Sequence, residues 1–338
     1  MNLSKFYLLL FISFFLSCSS DEHSPEIAFY FWKTVFKLSE TERAALQVNR
    51  VKSLYVRYFD VDLNPSDKKP YPLSTIQFIE NPAPYKVIPV VYIRNQVMLQ
   101  KNSDNKTLVA YILSYIDQIN QSNHISCSEI QIDCDWTLNS RDNFMEFMEI
   151  LKQTSKMEIS VTIRLHQVKY YNKTKIPKAD YGVLMYYNMG RIAPDSFNSI
   201  YDRDIALRYI QSLKYYPMKL DVALPVFSQG VQIEQNRVVN LLSKVNQKGF
   251  ECDSSFRQIS SGRFLVQKSN LKFGNYFKQN NEVKIETISF ENLKEMTDDL
   301  KDFIAYKPSK IIFFDLDSIN LINYQHENQN FTKIASGF

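Results

Sequence analysis

The chain has 338 residues, a formal net charge of +4 at pH 7 and a hydrophobic content of 45%. A chain of this length can bury a large core and exceeds a typical single domain. No dense run of basic residues accompanies the small positive charge, so the composition gives no support for nucleic acid as a partner. Only seven glycines are present and neither GxGxxG nor GxxxxGK[ST] occurs, which argues against a nucleotide-binding phosphate loop.

Residues 1–17 have the organisation of a secretory signal peptide. Lys5 supplies a positive charge, residues 6–16 are apolar, and Ser17 is a small residue directly before Cys18. The apolar run is too short to span a bilayer. Residues 15–18 (FLSC) resemble a bacterial lipobox, in which the cysteine carries lipid and becomes the new N-terminus. An ordinary signal peptide that is cleaved nearby is the alternative.

The lipobox resemblance implies a protein held at a membrane by lipid on Cys18, with residues 18–26 as a tether. Residues 19–22 (SSDE) also resemble the acidic export tag that sends Bacteroidetes lipoproteins to the cell surface. We therefore expect an outer-membrane lipoprotein on the cell surface or on the periplasmic face.

Three cysteines remain for the folded part of the chain: Cys127, Cys134 and Cys252. An odd number in an oxidising compartment allows at most one disulfide and leaves open whether Cys127 pairs with Cys252. No two of them have metal-ligand spacing, and histidines are few. We expect no zinc site and no other cofactor.

Apolar runs with a period of two residues recur eight times along the chain, and helical patterns fill most of the intervals between them. The predicted strands are Ile27–Trp32, Ser53–Asp60, Val87–Arg94, Glu129–Trp136, Glu158–Leu165, Tyr181–Asn188, Lys219–Val226 and Lys310–Leu316. The clearest predicted helices are Glu40–Val48, Thr107–Ile119, a segment after Ser140, Asp202–Leu213 and Phe290–Ala305.

Eight strands that alternate with helices predict an α/β protein of the (β/α)8 TIM-barrel class over residues 27–338. An α/β sheet of six or seven strands is the alternative, because the intervals after strands two and five carry little helical pattern. Between Val226 and Lys310 lie about 80 residues, more than one helix and two loops require. Val238–Val245 is the predicted helix there, and residues 246–285 are predicted to form an insertion with short extra strands.

Barrel enzymes place their chemistry at the C-terminal ends of the strands, and strand four is the most informative in this sequence. Asp133 and Asp135 are two residues apart, so they share one face of the strand with Gln131 and Thr137. If the two carboxyl groups are close, one of them should have a raised pKa. A strand that ends in a solvated loop is the alternative interpretation. The other strand-end candidates are Asp60, Asp62, Arg94, Arg164, His166, Tyr187, Asn188, Phe314, Asp315 and Asp317.

Three segments together resemble family 18 glycoside hydrolases, the chitinase and endo-β-N-acetylglucosaminidase group. Residues 133–137 (DCDWT) align with the last five positions of the strand-four motif DxxDxDxE. Residues 185–188 (MYYN) match the strand-six motif M-x-Y-[DN], and residues 220–227 (LDVALPVF) are similar to the strand-seven segment LGLPxYG. The pattern is also similar to an uncharacterised family of bacterial lipoproteins predicted to share this barrel.

The resemblance implies that the protein binds glycans that contain N-acetylhexosamine. In family 18 the N-acetyl oxygen of the substrate attacks the anomeric carbon, so the usual pair of catalytic carboxylates is not needed. By position, the resemblance implies that Asp135 orients the acetamide and that Asp133 supports it. Tyr187 and Asn188 would contact the amide.

Two positions depart from the family pattern. Thr137 stands where the family has its proton-donating glutamate, and a threonine hydroxyl cannot act as a general acid near neutral pH. Phe314 stands where the family has a tryptophan beneath the sugar. Hydrolysis would therefore need another acid, for which the candidates are Asp315, Asp317, Asp60 and Asp62. The alternatives are a barrel that binds glycans without cleaving them, and a structural component of an outer-membrane protein complex.

Two further expectations concern the surroundings of the aspartates. Arg94, Arg164 and His166 either bind an anionic group on the glycan or form ion pairs with the aspartates inside the barrel. Trp136 is expected to pack outside the barrel, beneath the helices.

Overall fold

The computed structural model describes residues 24–101 and 104–338. Cys18, the predicted signal peptide and the first part of the tether lie outside the described residues. In the described part, eight parallel strands form the centre of the fold. They are β1 (Glu26–Phe31), β2 (Ser53–Leu63), β3 (Lys86–Ile93), β4 (Glu129–Cys134), β5 (Glu158–Arg164), β6 (Tyr181–Met185), β7 (Leu220–Pro225) and β8 (Lys310–Phe314).

The eight strands close into a barrel because β1 pairs in parallel with both β2 and β8. The predicted (β/α)8 barrel is confirmed, and the open sheet is excluded. Three strands end two or three residues earlier than predicted: β4 ends at Cys134, β6 ends at Met185 and β8 ends at Phe314. Asp135 and Tyr187 therefore follow their strands instead of lying within them.

Helices cover the outside of the barrel and bury one apolar face each. The helix at Asn105–Asn123 buries Leu108, Ile112 and Ile116, which recur at the spacing of helical turns. The longer helices are Glu40–Val48, Asn105–Asn123, Arg141–Thr154, Arg203–Ile210 and Phe290–Phe303, and the shorter ones are Asn95–Met98, Leu165–Lys169, Tyr171–Thr174, Gln247–Glu251, Ser318–Leu321 and Thr332–Ala335. Within the described residues, none of these helices has the length and hydropathy needed to cross a bilayer.

The two intervals with a weak helical pattern, after β2 and after β5, lie within the described residues and contain no long helix directly after the strand. After β2 the chain turns back as Pro70–Leu73, which pairs antiparallel with the end of β2. After β5 it forms only the two short helices Leu165–Lys169 and Tyr171–Thr174.

Between β7 and the helix at Phe290–Phe303 the chain forms a second sheet with its own core. Its five antiparallel strands lie in the order Arg237–Ser243, Gln229–Glu234, Glu282–Glu286, Arg263–Val266 and Phe256–Ser260. A hairpin of Asn270–Lys272 and Asn275–Phe277 accompanies it. We call these residues, 229–286, the insertion sheet.

The predicted helix at Val238–Val245 is wrong, because Arg237–Ser243 is a strand that pairs with Gln229–Glu234. Gln235 and Asn236 connect the two strands and have φ values of 47° and 57°. Two consecutive residues with positive φ are typical of the tight turn that joins hairpin strands. The turn and the pairing partner therefore override a local pattern that resembled a short helix.

A buried ionic contact ties the insertion sheet to the loop that follows β6. The Lys284 ammonium is 2.7 Å from a Glu286 carboxylate oxygen and donates to the Ala193 carbonyl at 2.9 Å. Glu286 also accepts a hydrogen bond from Ser199 Oγ. Because this loop begins at the C-terminal end of a barrel strand, the contact holds the insertion sheet beside the mouth of the barrel.

A second buried ionic contact closes the opposite end of the barrel. Glu129, the fully buried first residue of β4, lies 3.3 Å from the ammonium of Lys310, the first residue of β8. Ser160 and Tyr181 donate hydrogen bonds to the same carboxylate. The pair joins strands that are not neighbours, and the cost of burying the carboxylate is offset only while the partners remain.

We expect Lys310→Met to lower the free energy of unfolding by about 3 kcal/mol, because Glu129 would stay buried without its cation. The double variant Lys310→Met/Glu129→Gln should recover more than half of this loss. Urea denaturation followed by circular dichroism measures both, and Lys301→Met, on an exposed helix position, is the matched control. Equal stability of the Lys310→Met variant and the wild type would contradict the assigned role.

Candidate functional site

The C-terminal strand ends form one polar and aromatic cluster at the mouth of the barrel. Asp60 on β2, Tyr92 on β3 and Asp133 on β4 are neighbours in the strand register, so their side chains share the inner face. Tyr92 was not among the residues singled out from the sequence. Its signal was present, since it lies two residues before Arg94 in the alternation of strand three.

Asp133 is a buried carboxyl with a raised pKa. Its side chain is 5% exposed and accepts a hydrogen bond of 2.6 Å from Thr162 Oγ1. Burial raises the pKa of Asp133 to about 6, the positive charge of Arg164 opposes this shift, and the carboxylate of Asp135 adds to it. The expectation that one of the two aspartates has a raised pKa is met, although burial contributes more than the neighbouring charge.

Asp135 forms an ion pair with Arg164 at the end of β5. Arg164 Nε donates a hydrogen bond to Asp135 Oδ1, and the two side chains are 29% and 39% exposed, respectively. This geometry favours the ion-pair interpretation of Arg164 over an anion site. His166 lies on the short helix after β5 and faces solvent, and its pKa is lowered by partial desolvation and by the charge of Arg164.

Asp60 and Asp62 are also paired with arginines. Asp60 is 1% exposed and accepts hydrogen bonds from Arg57, with 2.7 Å between Arg57 Nε and Asp60 Oδ1. A bulge at Tyr58 brings Arg57 and Asp60 onto the same face, although they are three residues apart. Arg94 Nη1 lies 3.0 Å from Asp62 Oδ2, so Arg94, like Arg164, forms an ion pair with an aspartate at the mouth of the barrel.

Asp315 and Asp317 follow β8 and differ in their surroundings. Asp315 is 7% exposed and accepts a hydrogen bond of 2.6 Å from Asn320 Nδ2. Burial raises its pKa to about 6, and the charge of Asp317 contributes to the shift. Asp317 caps the helix at Ser318–Leu321, and its carboxylate lies 2.9 Å from the ammonium of Lys244 on the insertion sheet.

The residues after β4 do not continue the alternation of the strand. Trp136 is buried outside the barrel, where it stacks on Phe144 at 4.7 Å between ring centroids, as expected. Thr137 is exposed, and its backbone N–H donates to Ser140 Oγ at 2.9 Å. The prediction that Thr137 shares the face of Asp133 is wrong, because the strand ends at Cys134 and the backbone turns there.

Aromatic side chains surround Phe314 on the insertion-sheet side of the mouth. Tyr187 stacks on Phe314 at 5.4 Å between centroids, and Tyr30, Trp32 and Phe227 contact Phe314 at 5.3–5.9 Å. Tyr187 is 5% exposed, whereas Asn188 is exposed and has a φ of 55°. The structure thus brings Tyr187 and Phe314 together and leaves Asn188 outside the cluster's core.

A cavity of about 400 Å³ lies between this aromatic cluster and the insertion sheet. Trp32, Phe227 and Phe314 form its aromatic lining. Asp315 and Lys244 also border the cavity and supply charged groups. Polar side chains, among them Gln229 and Asn320, share the lining with the aromatic rings, and a cleft that combines both is a usual form of a small-molecule or sugar site.

The cysteines have no part in this site. Within residues 24–101 and 104–338, Cys127, Cys134 and Cys252 are all free, so the disulfide left open by the sequence does not form.

The structure therefore defines a (β/α)8 barrel with a cleft at the C-terminal ends of its strands. No protein-family model matches the chain, and no curated protein matches its sequence. Among solved structures, the chain is similar to a family GH18 chitinase from Cycas revoluta in complex with allosamidin. The TM-score is 0.56 and the identity 12%, with 92% of this chain and 99% of that chain covered.

Two further solved structures have the same fold. The Bacillus cereus spore cortex-lytic enzyme SleL has a TM-score of 0.54 at 14% identity, with 91% of this chain and 75% of that chain covered. A class V chitinase from Nicotiana tobaccum has a TM-score of 0.52 at 11% identity, with 94% of this chain and 100% of that chain covered. At these identities the likeness establishes a GH18-like fold.

We expect Asp133→Asn to stabilise the protein more at pH 7.5 than at pH 4. The pKa of Asp133 is raised from 3.8 to about 6 on folding, so its contribution to stability is complete below pH 4 and is lost as the pH rises through 6. Asparagine cannot ionise and can still accept from Thr162. The gain relative to the wild type should therefore be about 2 kcal/mol larger at pH 7.5.

Urea denaturation at the two pH values measures this difference. Asp298→Asn, at an exposed helix position, controls for the loss of a surface charge. If the stability of Asp133→Asn relative to the wild type were the same at both pH values, the raised pKa of Asp133 would be wrong.

Proposed function

We propose that this protein binds N-acetylhexosamine-containing glycans in the cleft at the mouth of its barrel and does not cleave them. The observation that carries the proposal is the aromatic cluster around Phe314, which opens on the cavity lined by Trp32, Phe227 and Phe314. Two proteins of the same fold are described with such ligands: the Cycas revoluta chitinase with (GlcNAc)3 and a mutant of the Nicotiana tobaccum enzyme with NAG4.

The electrostatics of the mouth support binding without hydrolysis. Thr137 supplies no acid, and Asp135, whose position implies contact with the acetamide, is paired with Arg164. Three other acid candidates, Asp60, Asp62 and Asp317, are held in ion pairs with Arg57, Arg94 and Lys244. Each of these carboxylates is already in contact with a cationic side chain, so none of them stands free to reach the glycosidic oxygen of a ligand.

Hydrolysis with Asp315 as the acid is the second candidate function. Asp315 borders the cavity and its pKa is raised to about 6, so a substantial fraction is protonated in mildly acidic solution. Its carboxyl is already engaged by Asn320, which favours a positioning role. Binding alone remains the stronger proposal.

The proposal includes a location. Lipid on Cys18 would anchor the protein in the outer membrane, with the barrel carried on the short tether at the cell surface or on the periplasmic face. The lipobox-like residues 15–18 and the acidic residues after Cys18 support this placement. There the protein would present glycans to an outer-membrane protein complex.

We expect chitotetraose to bind the soluble form, residues 19–338, and Tyr187→Phe to weaken the binding about tenfold. Among the described residues, the Tyr187 hydroxyl donates only to Met185 Sδ, at 3.5 Å, so no strong protein acceptor competes with a ligand that reaches it. A hydrogen bond to a sugar is worth about 1–1.5 kcal/mol. Isothermal titration calorimetry gives the affinities.

Tyr186→Phe is the matched control, because the neighbouring Tyr186 ring is buried on the outer side and its hydroxyl has no partner. Chromatography of the same mixtures should show chitotetraose unchanged after prolonged incubation at pH 5.5 and pH 7.5. Shorter products that disappear in an Asp315→Asn variant would support the second candidate. Failure of chitotetraose, and of N-glycans tested alongside it, to bind the wild type would refute the proposed function.

We expect Cys18→Ala to release the protein from the membrane fraction, because lipid needs the cysteine thiol as its attachment point. Cell fractionation and metabolic labelling with a radioactive fatty acid measure the change, and Cys252→Ala, at an exposed position, is the control. A Cys18→Ala protein that stays with the outer membrane and keeps its label would show that the anchor lies elsewhere.

A further inference from the structure

The two tryptophans of this chain differ in their surroundings, and only one of them borders the proposed glycan cleft. The sequence contains two tryptophans, Trp32 and Trp136. Trp136 is 2% exposed beneath the outer helices, where its indole N–H donates to the Thr174 carbonyl. Trp32 directly follows β1, is partly exposed, and borders the cavity beside Phe314.

Three neighbours hold the Trp32 ring in one orientation. The guanidinium carbon of Arg57 lies 5.5 Å from the ring centroid, over the indole face, and Asp60 fixes Arg57 through its hydrogen bonds. Tyr30 and Phe314 contact Trp32 nearly edge to face, at 5.9 and 5.3 Å between centroids. The ring is thus preorganised, and its uncovered part faces the cavity.

The indole N–H of Trp32 is also uncommitted. Among the residues that the structure describes, no group accepts a hydrogen bond from Trp32 Nε1. An indole nitrogen is a donor only, so it can be satisfied by water or by an acceptor on a ligand, such as a hydroxyl or an acetamide oxygen. A flat apolar face with one donor at its edge suits an N-acetylhexosamine ring.

We propose that Trp32 is the stacking platform for a sugar ring in this cleft, supplied from β1 in place of the tryptophan that is absent at position 314. This inference rests on the proposed function and adds to it a binding residue and its geometry. Phe314 then packs nearly edge to face against Trp32 and helps to hold the indole in place. Arg57 has a positioning role, because it covers the side of the indole that the sugar does not use.

Fluorescence isolates Trp32, since the chain has one other tryptophan and that residue is buried. In a Trp136→Phe background, acrylamide should quench the remaining emission, and chitotetraose should shift the emission to shorter wavelength and protect it from quenching. The wild-type chain serves equally for quenching, because Trp136 is shielded from acrylamide. Emission and quenching that stay unchanged at a chitotetraose concentration that saturates the protein by calorimetry would overturn the proposal.

Affinity provides the second measurement. Trp32→Ala should weaken chitotetraose binding at least tenfold, and Trp32→Tyr should restore most of the affinity, because it keeps an aromatic face. Tyr215→Ala is the control for loss of an aromatic ring, because Tyr215 is exposed and lies before β7, away from the C-terminal strand ends. Circular dichroism and thermal midpoints establish whether each variant folds. If Trp32→Ala does not fold, the affinity and emission of the Trp32→Tyr variant and the wild type still decide the test.

The two proposals fail in different ways. If the wild type shows no calorimetric binding of chitotetraose or N-glycans, the proposed function is wrong and the platform is wrong with it. If the wild type binds chitotetraose but folded Trp32→Ala binds with unchanged affinity, only the platform is wrong. A loss of affinity in both Trp32→Ala and Trp32→Tyr, without a ligand-dependent change in Trp32 emission, would assign Trp32 a packing role.

Discussion

Closure of the barrel is the constraint on which the other features depend. Parallel pairing of β1 with both β2 and β8 removes both sheet edges and sets every C-terminal strand end around one mouth. Trp32, Arg57 and Phe314, which are distant in the sequence, become neighbours only through this closure. At the other end, the Glu129–Lys310 contact joins non-adjacent strands across the barrel interior. The mouth is therefore a rigid rim rather than a set of independent loops, which is the condition for a preorganised binding site.

The distribution of charge at the mouth separates recognition from catalysis. Carboxyl groups are plentiful there, but arginines or a lysine neutralise four of them, and the remaining two, Asp133 and Asp315, are buried with raised pKa values. The four ion pairs offset part of the cost of burying charge, whereas Asp133 and Asp315 carry a desolvation cost that grows as the pH rises through 6. On the strand-four side the partly exposed Asp135 is paired with Arg164, and Thr137, which points into solvent, has no acidic group. A cleft of this kind holds a ligand by aromatic contact and hydrogen bonds.

The insertion sheet completes the cleft and shows how local patterns mislead. The buried Lys284–Glu286 pair fastens the sheet to the loop after β6, and Lys244 reaches Asp317 from the opposite side. The segment at Val238–Val245 resembled a helix because a short apolar run has no unique period. Its true state depended on Gln229–Glu234, a strand outside that window, and on the turn at Gln235 and Asn236. Thr137 was misplaced for a related reason, since alternation predicts a shared face only as far as the strand extends.

The sequence by itself determined the eight strands, most of the helices, the barrel class and the strand-end positions of the aspartates. These follow from apolar periodicity, which is a local property that a single chain displays directly. Only the tertiary structure decided which charges pair, because Arg164 and Asp135, or Lys244 and Asp317, lie far apart in sequence and meet only in the folded protein. It also decided that Trp32 and Tyr92 belong to the mouth, and that Asp133 has a raised pKa chiefly through burial. Burial, register and pairing between distant residues are properties of the closed barrel, and no window of the sequence contains them.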